Sequence, residues 1–105
     1  MGFLSAIFGR STDPVKLSEL LLQKPFLVDV RTPAEFSSGS AKGAVNIPLD
    51  QLPAKIAQFK GKSHVVVFCR SGNRSGQAKS MLEKAGISPV TNGGSLGNVI
   101  SAQRT

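Results

Sequence analysis

Tryptophan and tyrosine are absent from this sequence of 105 residues, and cysteine and histidine occur once each. One cysteine excludes an internal disulfide, so a packed core has to hold the fold together. One cysteine and one histidine are too few for a structural metal site, and no metal or cofactor is expected. Nucleic acid is not an expected partner, because no basic stripe is interleaved with aromatic rings that stack on bases.

Long apolar runs are also absent. The longest uncharged stretch at the N-terminus, Met1 to Gly9, is too short to span a bilayer and ends without a small-residue cleavage site. We therefore expect a cytoplasmic protein with no stable membrane insertion, which suits a lone, reduced cysteine. Four large apolar residues of this stretch can pack on the domain, on a second copy or on a membrane surface: Phe3, Leu4, Ile7 and Phe8.

The chain length suits one domain, and we assign residues 1–12 to a short tail and residues 13–105 to a single domain. Acidic residues are scarce in the second half. Residues 51–105 hold five lysines and three arginines against Glu83 alone, whereas residues 1–50 are balanced, so the net charge of +7 resides in the second half. Such an excess can attract small anions, dock a protein partner or keep the protein soluble.

One strand and one helix stand out in the pattern. The run His64–Phe68, rich in β-branched residues, predicts the strongest strand, and Cys69 follows directly at its C-terminal tip. From Ser75 onward, apolar residues recur at helical spacing until Gly86 ends the helix. The loop that joins these two elements therefore begins at the single cysteine.

Weaker patterns complete a series in which strands and helices alternate. Further strands are predicted at Phe26–Val30, Ala44–Ile47 and Pro89–Thr91. Further helices are predicted after Asp13, over Thr32–Ser38, through Ala54 and Gln58 and around Leu96–Gln103, with a turn at Asn92–Ser95. This alternation favours an α/β fold with a mostly parallel central sheet and helices on both faces. In such sheets, ligands bind beyond the carboxyl ends of the strands, where Cys69 is expected.

The loop that begins at Cys69 is suited to holding an anion. Gly72 and Asn73 tolerate left-handed backbone, so the loop can turn its N–H groups inward while the following helix presents its positive end. Such donors and nearby cations lower the pKa of a cysteine, so we expect a thiolate near neutral pH. Arg70 and Arg74 add permanent positive charges. An inert, buried cysteine is the alternative, and a glycine turn with two arginines argues against it.

Four motifs together resemble the rhodanese family of sulfurtransferases, over about residues 13–100. They are Asp29-Val30-Arg31 with Glu35-Phe36, Gly43-Ala44-Val45-Asn46-Ile47-Pro48, Val65 through Ser75, and Asn92-Gly93-Gly94. Ser40 departs from the pattern, because many members of the family carry histidine there. The resemblance implies a rhodanese-like three-layer fold, in which helices cover both faces of the sheet.

The resemblance also implies ping-pong sulfur transfer. Cys69 would be the catalytic nucleophile that takes the sulfane sulfur of a small anionic donor such as thiosulfate, or of a persulfide, and passes it to cyanide or a thiol. Substrate and persulfide binding would fall to the loop residues Arg70, Ser71, Gly72, Asn73, Arg74 and Ser75. Asp29 and Arg31 would line one wall of the pocket. Neither Asp29 nor Glu35 is expected to be catalytic, because sulfur exchange needs no general base once the thiolate has formed.

Two alternatives stay open. The protein can be a module that relays sulfur to, or binds, a protein partner through its basic half, without turnover of its own. A phosphatase or an arsenate reductase of the same fold is the rival enzyme. Loop length argues against a phosphatase, whose loop is one residue longer between its cysteine and its arginine. The position of the phosphatase arginine is occupied here by Ser75, which cannot supply a bidentate, charged contact to phosphate.

Overall fold

Strands and helices alternate along the chain as the sequence predicts. The structure, a computed structural model, describes residues 14–105. Its strands are β1 (Phe26–Asp29), β2 (Val45–Asn46), β3 (Val65–Cys69) and β4 (Val90–Ser95). Its helices are α1 (Pro14–Leu22), α2 (Pro33–Ser37), α3 (Asn73–Lys84) and α4 (Leu96–Gln103), with a 3₁₀ helix (Leu49–Phe59) between β2 and β3. Asp13, after which the first helix is predicted, and the apolar tail lie outside the described residues.

The four strands form one parallel sheet in the order β2–β1–β3–β4. The central strands β1 and β3 pair from Phe26 with Val65 to Asp29 with Phe68. All residues of β3 are buried, as expected for a strand covered on both faces. The predicted α/β fold is confirmed, and within residues 14–105 the sheet is entirely parallel. The carboxyl ends of β1 and β3 therefore meet at one edge of the sheet.

Side chains of β3 alternate between two cores, one on each face of the sheet. Val65, Val67 and Cys69 pack on the face covered by α3 and the 3₁₀ helix. Val66 and Phe68 pack on the face covered by α1 and α4. The predicted three-layer arrangement is therefore confirmed, and it places the cysteine beneath α3.

The helix predicted through Ala54 and Gln58 is present, but its type differs from the expectation. It is a 3₁₀ helix, in which Pro53 lacks the N–H group that a regular α-helix would use and Lys55 leaves helical geometry at φ −121°. Leu52 and Phe59 on its inner side are nevertheless buried in the core. No helix within residues 14–105 is long and apolar enough to cross a bilayer.

The turn predicted at Asn92–Ser95 is wrong, because β4 continues through these residues. Gly94 pairs with Phe68, and Ser95 pairs with Cys69, after an irregularity in the ladder between β3 and β4. Pairing with the central strand thus prevails over the local preference of the two glycines for a turn. As a result, the end of β4 lies beside the end of β3.

Gly93 is required because the backbone of β4 lies close to the side chains of Val66 and Val99, and not because the chain turns there. A Cβ atom at this position would lie 3.1 Å from methyl groups of both Val66 and Val99. Gly94 has φ +85°, a left-handed conformation that glycine adopts without strain. The glycine pair therefore lets β4 pack tightly between its neighbours while it bends.

Element boundaries near the cysteine also differ from the prediction. Helix α3 begins at Asn73 instead of Ser75, because Gly72 adopts φ +95° and turns the chain directly into the helix. Cys69 is the last residue of β3 rather than the first residue after it. The loop between strand and helix is consequently tighter than the sequence indicates, and the helix start lies close to the sulfur.

Candidate active site

Cys69 ends β3 at the carboxyl edge of the sheet, and its side chain is buried beneath α3. The chain turns at Gly72, and α3 begins at the next residue. No side chain caps this helix start, so its first N–H groups stay available to an acceptor. Strand end, turn and helix start thus surround one sulfur atom with donors.

Three groups of the loop and of the first turn of α3 contact Cys69 Sγ. The N–H of Gly72 donates a hydrogen bond over 3.0 Å, and the N–H of Ser75 donates one over 3.4 Å. The hydroxyl oxygen of Ser75 lies 3.4 Å from the same sulfur. Because backbone donors are fixed by the fold, they can hold a negative sulfur without reorganisation. These groups are called the sulfur cradle below.

The pKa of the Cys69 thiol is lowered in this environment. Burial raises it, because a charged sulfur loses contact with water, but hydrogen bonds outweigh that effect. The largest contribution is that of the Ser75 hydroxyl when it faces the sulfur, and the N–H groups of Ser75, Ser71 and Gly72 add to it. The thiolate, which is the reactive form of cysteine, is therefore favoured relative to an ordinary cysteine.

Asn92 of β4 connects both halves of the sulfur cradle. The hydroxyl of the buried Ser75 donates to Asn92 Oδ1 over 2.7 Å, and Asn92 Nδ2 donates to the carbonyl oxygen of Gly72 over 3.2 Å. The same Oδ1 accepts from the N–H of Gly94 over 2.9 Å. Asn92 is not among the site residues that the sequence predicts, because the glycine pair after it indicates a turn. The usable signal was a polar residue at the end of a strand in a parallel sheet.

Arg74, which the sequence assigns to anion binding, pairs with Glu35 of α2. Nη1 donates to Oε1 over 2.9 Å and Nη2 donates to Oε2 over 3.1 Å, a bidentate ion pair. Glu35 also accepts from the N–H of Thr32 over 2.9 Å and completes a capping box at the start of α2. These bonds, that from Arg74 above all, lower the pKa of Glu35 to about 2. The guanidinium fork of Arg74 is thus already occupied by a carboxylate.

Arg70 differs from Arg74, because within residues 14–105 its charge has no ion-pair partner. It follows the cysteine directly and is exposed, as are Ser71 and Asn73. A permanent charge beside the sulfur suits an approaching anion. Contacts of these three side chains with a ligand stay a prediction.

Asp29 and Arg31, assigned to a pocket wall, form a buried ion pair at the end of β1, with exposed fractions of 0% and 7%. Arg31 Nη2 donates to Asp29 Oδ2 and to the carbonyl oxygen of Gly39, over 2.7 Å each. Ser40 donates to the same carboxylate oxygen over 2.8 Å. This cluster is satisfied internally and supports the fold, and its contribution to a pocket wall stays a prediction.

His64 precedes β3 and so lies at the opposite end of the strand from Cys69, as the sequence predicts. Its Nε2 is 2.8 Å from the hydroxyl of Thr91, and burial lowers its pKa. Histidine therefore does not assist the cysteine. In the part of the chain that the structure describes, no three His, Cys, Asp or Glu side chains gather as a metal site would require.

Sequence comparison agrees with this geometry. A sequence model of the Rhodanese-like domain family matches residues 13–95. A sulfurtransferase of Allochromatium vinosum is 39% identical over 63% of this chain and 62% of its own length, so the match spans less than two thirds of that protein. The thiosulfate sulfurtransferase PspE of Escherichia coli is 36% identical over 69% of this chain and 71% of its own length.

Two solved structures show the same likeness in three dimensions. A rhodanese-like domain protein from Staphylococcus aureus has a TM-score of 0.71 and 30% identity, over 82% of this chain and 86% of that chain. A rhodanese from E. coli, solved with anions, has a TM-score of 0.64 and 36% identity, over 69% of this chain and 87% of that chain. Since the family match covers most of the sequence and the folds agree, this chain belongs to the rhodanese family.

Proposed function

We propose that this protein is a sulfurtransferase that carries a sulfane sulfur as a persulfide on Cys69. The observation that carries the proposal is the contact of one buried sulfur with the N–H groups of Gly72 and Ser75. Fixed N–H donors stabilise a thiolate before the reaction, and they stay in place when negative charge moves to the outer sulfur of a persulfide. Relatives named sulfurtransferase and thiosulfate sulfurtransferase support the same activity.

In the first half-reaction, the thiolate of Cys69 attacks the terminal sulfur of thiosulfate. A bond forms between Sγ and that sulfur, while the bond between the two sulfur atoms of thiosulfate breaks and its electron pair leaves on sulfite. No proton moves, so no general base is required. A persulfide donor reacts in the same way and leaves as a thiolate.

In the second half-reaction, cyanide or a thiolate acceptor attacks the outer sulfur of the persulfide. The bond to Sγ breaks, its electron pair returns to Cys69, and thiocyanate or a new persulfide leaves. The donors that lower the pKa of the cysteine also make it a better leaving group. A reducing compartment such as the cytoplasm would keep the thiol available between cycles.

A small, anionic donor suits the surroundings of the sulfur. Cys69 is 0% exposed, so a compact molecule reaches it more readily than a side chain of a folded protein does. Arg70 places an unpaired positive charge next to it. The related E. coli rhodanese was solved with anions. These observations favour thiosulfate as the loading donor.

A phosphatase or arsenate reductase receives less support from the geometry. The fork of Arg74 is occupied by Glu35, and the next residue, Ser75, is buried with its hydroxyl bonded to Asn92. No guanidinium of α3 is therefore free to clamp the oxygens of a tetrahedral oxyanion above the sulfur.

The direct test is to incubate the protein with thiosulfate and measure the mass of the intact chain. We expect one added sulfur on the single cysteine, followed by release of thiocyanate when cyanide is added. Sustained turnover identifies an enzyme, whereas loading with little turnover identifies a relay module that requires a protein acceptor. Absence of loading contradicts both, and hydrolysis of a phosphate ester without loading would identify a phosphatase.

A further inference from the structure

The hydroxyl of Ser75 has one proton but faces two groups. Its oxygen lies 2.7 Å from Asn92 Oδ1 and 3.4 Å from Cys69 Sγ. A hydroxyl supplies one O–H donor and two lone pairs, so it cannot donate to both groups at once. Which group receives the proton decides what the hydroxyl does for the sulfur.

The neighbours of Asn92 settle this orientation. The N–H of Gly94 can only donate, so it must face the amide oxygen, and the carbonyl of Gly72 can only accept, so it must face the amide nitrogen. Oδ1 is therefore the atom that faces Ser75. Because an amide oxygen only accepts, Ser75 donates its proton to Asn92 and turns a lone pair toward the sulfur.

This arrangement suits the thiol better than the thiolate. A thiol can donate its S–H to the lone pair of Ser75, which completes a chain from sulfur through the hydroxyl to the amide oxygen of Asn92. A thiolate can only accept hydrogen bonds, so the hydroxyl of Ser75 can donate to it only after its hydrogen bond to Asn92 has broken. Asn92 thus competes with Cys69 for one proton and works against the backbone donors of the sulfur cradle.

We propose that Asn92 is a positioning residue that acts through the hydroxyl proton of Ser75 and sets the pH range in which Cys69 becomes a nucleophile. The inference rests on the proposed function to the extent that Cys69 is the sulfur-carrying group. The hydrogen bonds of the Asn92 side chain go to Ser75, Gly72 and Gly94 and not to the sulfur. The influence of Asn92 is transmitted entirely by the hydroxyl.

The charged groups around the sulfur do not account for this influence of Asn92 on the ionisation of Cys69. The neighbouring elements contribute Arg70 from the loop, Arg74 of α3 with Glu35 of α2, the Asp29–Arg31 pair at the end of β1, and Asp50 and Lys55 of the 3₁₀ helix. Glu35, with its pKa lowered to about 2, keeps its charge where a thiol titrates. Strand β4 has no charged residue, so Asn92 acts by hydrogen bonding alone.

The Asn92→Ala variant releases the hydroxyl to the sulfur. One hydrogen bond to a charged group favours the thiolate about tenfold. Because nucleophilicity falls together with basicity, at a Brønsted slope of about 0.4–0.5, sulfur loading quickens only about threefold at low pH. At high pH, where wild type is ionised as well, loading slows about threefold. A merely structural loss would slow loading at every pH, so crossing of the two pH profiles is diagnostic.

The deciding experiment is a pH titration of the Cβ carbon of ¹³C-labelled cysteine by NMR, which gives one signal because the chain has one cysteine. Wild type, Asn92→Ala, Ser75→Ala and the double variant are compared. We expect Asn92→Ala to lower the midpoint, Ser75→Ala not to raise it, and Asn92→Ala to have no effect in the Ser75→Ala background. Asn98→Ala is the matched control, because Asn98 Nδ2 donates to the carbonyl of Gly93 over 2.7 Å without touching Ser75.

Two results would overturn the proposal. A midpoint raised by Ser75→Ala would show that the hydroxyl already donates to the sulfur in wild type. An equal effect of Asn92→Ala in both backgrounds would show that Asn92 acts through loop structure. If Asn92→Ala does not fold, Ser75→Ala alone decides, because it retains the bonds of Asn92 to both glycines. The titration involves no sulfur transfer, so its outcome is separate from that of the loading test.

Discussion

The carboxyl ends of β1 and β3 lie side by side, and both carry buried polar groups, but they use them differently. At the end of β1, Asp29 and Arg31 bind each other, and Ser40 completes the set. At the end of β3, Cys69 faces donors that include the N–H of Gly72. A closed set of fixed charges supports the fold, whereas donors around an atom that can change its charge and its bonds support chemistry. Burial of polar groups alone does not distinguish the two.

The two strand ends also differ in the property that a single substitution should change. The guanidinium of Arg31 is buried against one carboxylate, so removal of that carboxylate leaves a buried charge with only the carbonyl oxygen of Gly39 as a partner. The sulfur cradle consists of several neutral groups, so removal of one weakens the site without unfolding the protein. Substitutions at β1 should therefore change stability, and substitutions at β3 should change sulfur loading.

The largest effect is expected at the end of β1. Asp29→Ala leaves Arg31 unpaired and should lower the free energy of unfolding by about 3–5 kcal/mol, out of a total of about 5–15 kcal/mol for an ordinary domain. Urea denaturation followed by circular dichroism measures the loss. The matched control Ser40→Ala removes one hydrogen bond to the same carboxylate, at about 1.5–3 kcal/mol. If Asp29→Ala lowers the free energy of unfolding no more than Ser40→Ala does, the ion pair at the end of β1 does not have the structural role assigned to it.

The next effect lies in the loop after β3. Gly72→Ala puts an L residue at φ +95°, which costs about 1–2 kcal/mol, and relief of that strain turns the N–H away from the sulfur. We expect the rate of loading by thiosulfate to fall about tenfold, the equivalent of one hydrogen bond to a charged group. Mass spectrometry at early times measures this rate.

Gly61→Ala is the matched control for that loop variant. Gly61 has φ +80°, leaves open space where a Cβ atom would lie and precedes β3 at the opposite edge of the sheet. It should carry a similar cost in stability and leave loading unchanged. An equal loss of loading in both variants would mean that the donor at Gly72 is unimportant.

The smallest effect concerns the Glu35–Arg74 pair, which links the two regions. The pKa of Glu35 falls from 4.5 to about 2 in the folded protein, mainly through its bonds to Arg74. The pair therefore adds stability above pH 4.5 that is lost as the pH falls toward 2. Glu35→Gln should lower the melting temperature slightly at neutral pH and flatten its fall in that acid window. The effect is small because the pair is partly exposed.

A second exposed pair provides the control for this measurement. Lys79 and Glu83 lie one helical turn apart in α3, with 3.9 Å between their charged atoms. Glu83→Gln removes a carboxylate that has no bidentate partner, so it should leave the acid dependence of the melting temperature close to that of wild type. If the melting temperatures of Glu35→Gln and Glu83→Gln depend on pH in the same way, the ion pair between α2 and α3 makes no measurable contribution to stability.

Local patterns in the sequence are sufficient for the elements that place the cysteine. The β-branched run before Cys69 predicts β3, and helical spacing after Ser75 predicts α3, because both depend on residues close together in the chain. Alternation of strands and helices then predicts the parallel sheet and its reactive edge. These predictions are confirmed to within a few residues at the boundaries.

Contacts between distant residues are what local patterns cannot supply. Arg74 and Glu35 are 39 residues apart, so nothing in the loop itself shows that this arginine is engaged. Ser75 and Asn92 are 17 residues apart, and Asn92 reaches Ser75 only because β4 continues past the predicted turn. Pairing of β4 with β3 is a tertiary effect that overrides the turn preference of the glycine pair.

The most direct test of the account is the intact mass of wild type and of Cys69→Ser after incubation with thiosulfate, followed by assay of thiocyanate on addition of cyanide. Serine is similar in size to cysteine, but its hydroxyl stays protonated at neutral pH and cannot take the place of the thiolate. The account predicts one added sulfur in wild type, its release as thiocyanate, and neither in Cys69→Ser. Equal transfer by both proteins, or no loading of wild type, would contradict it.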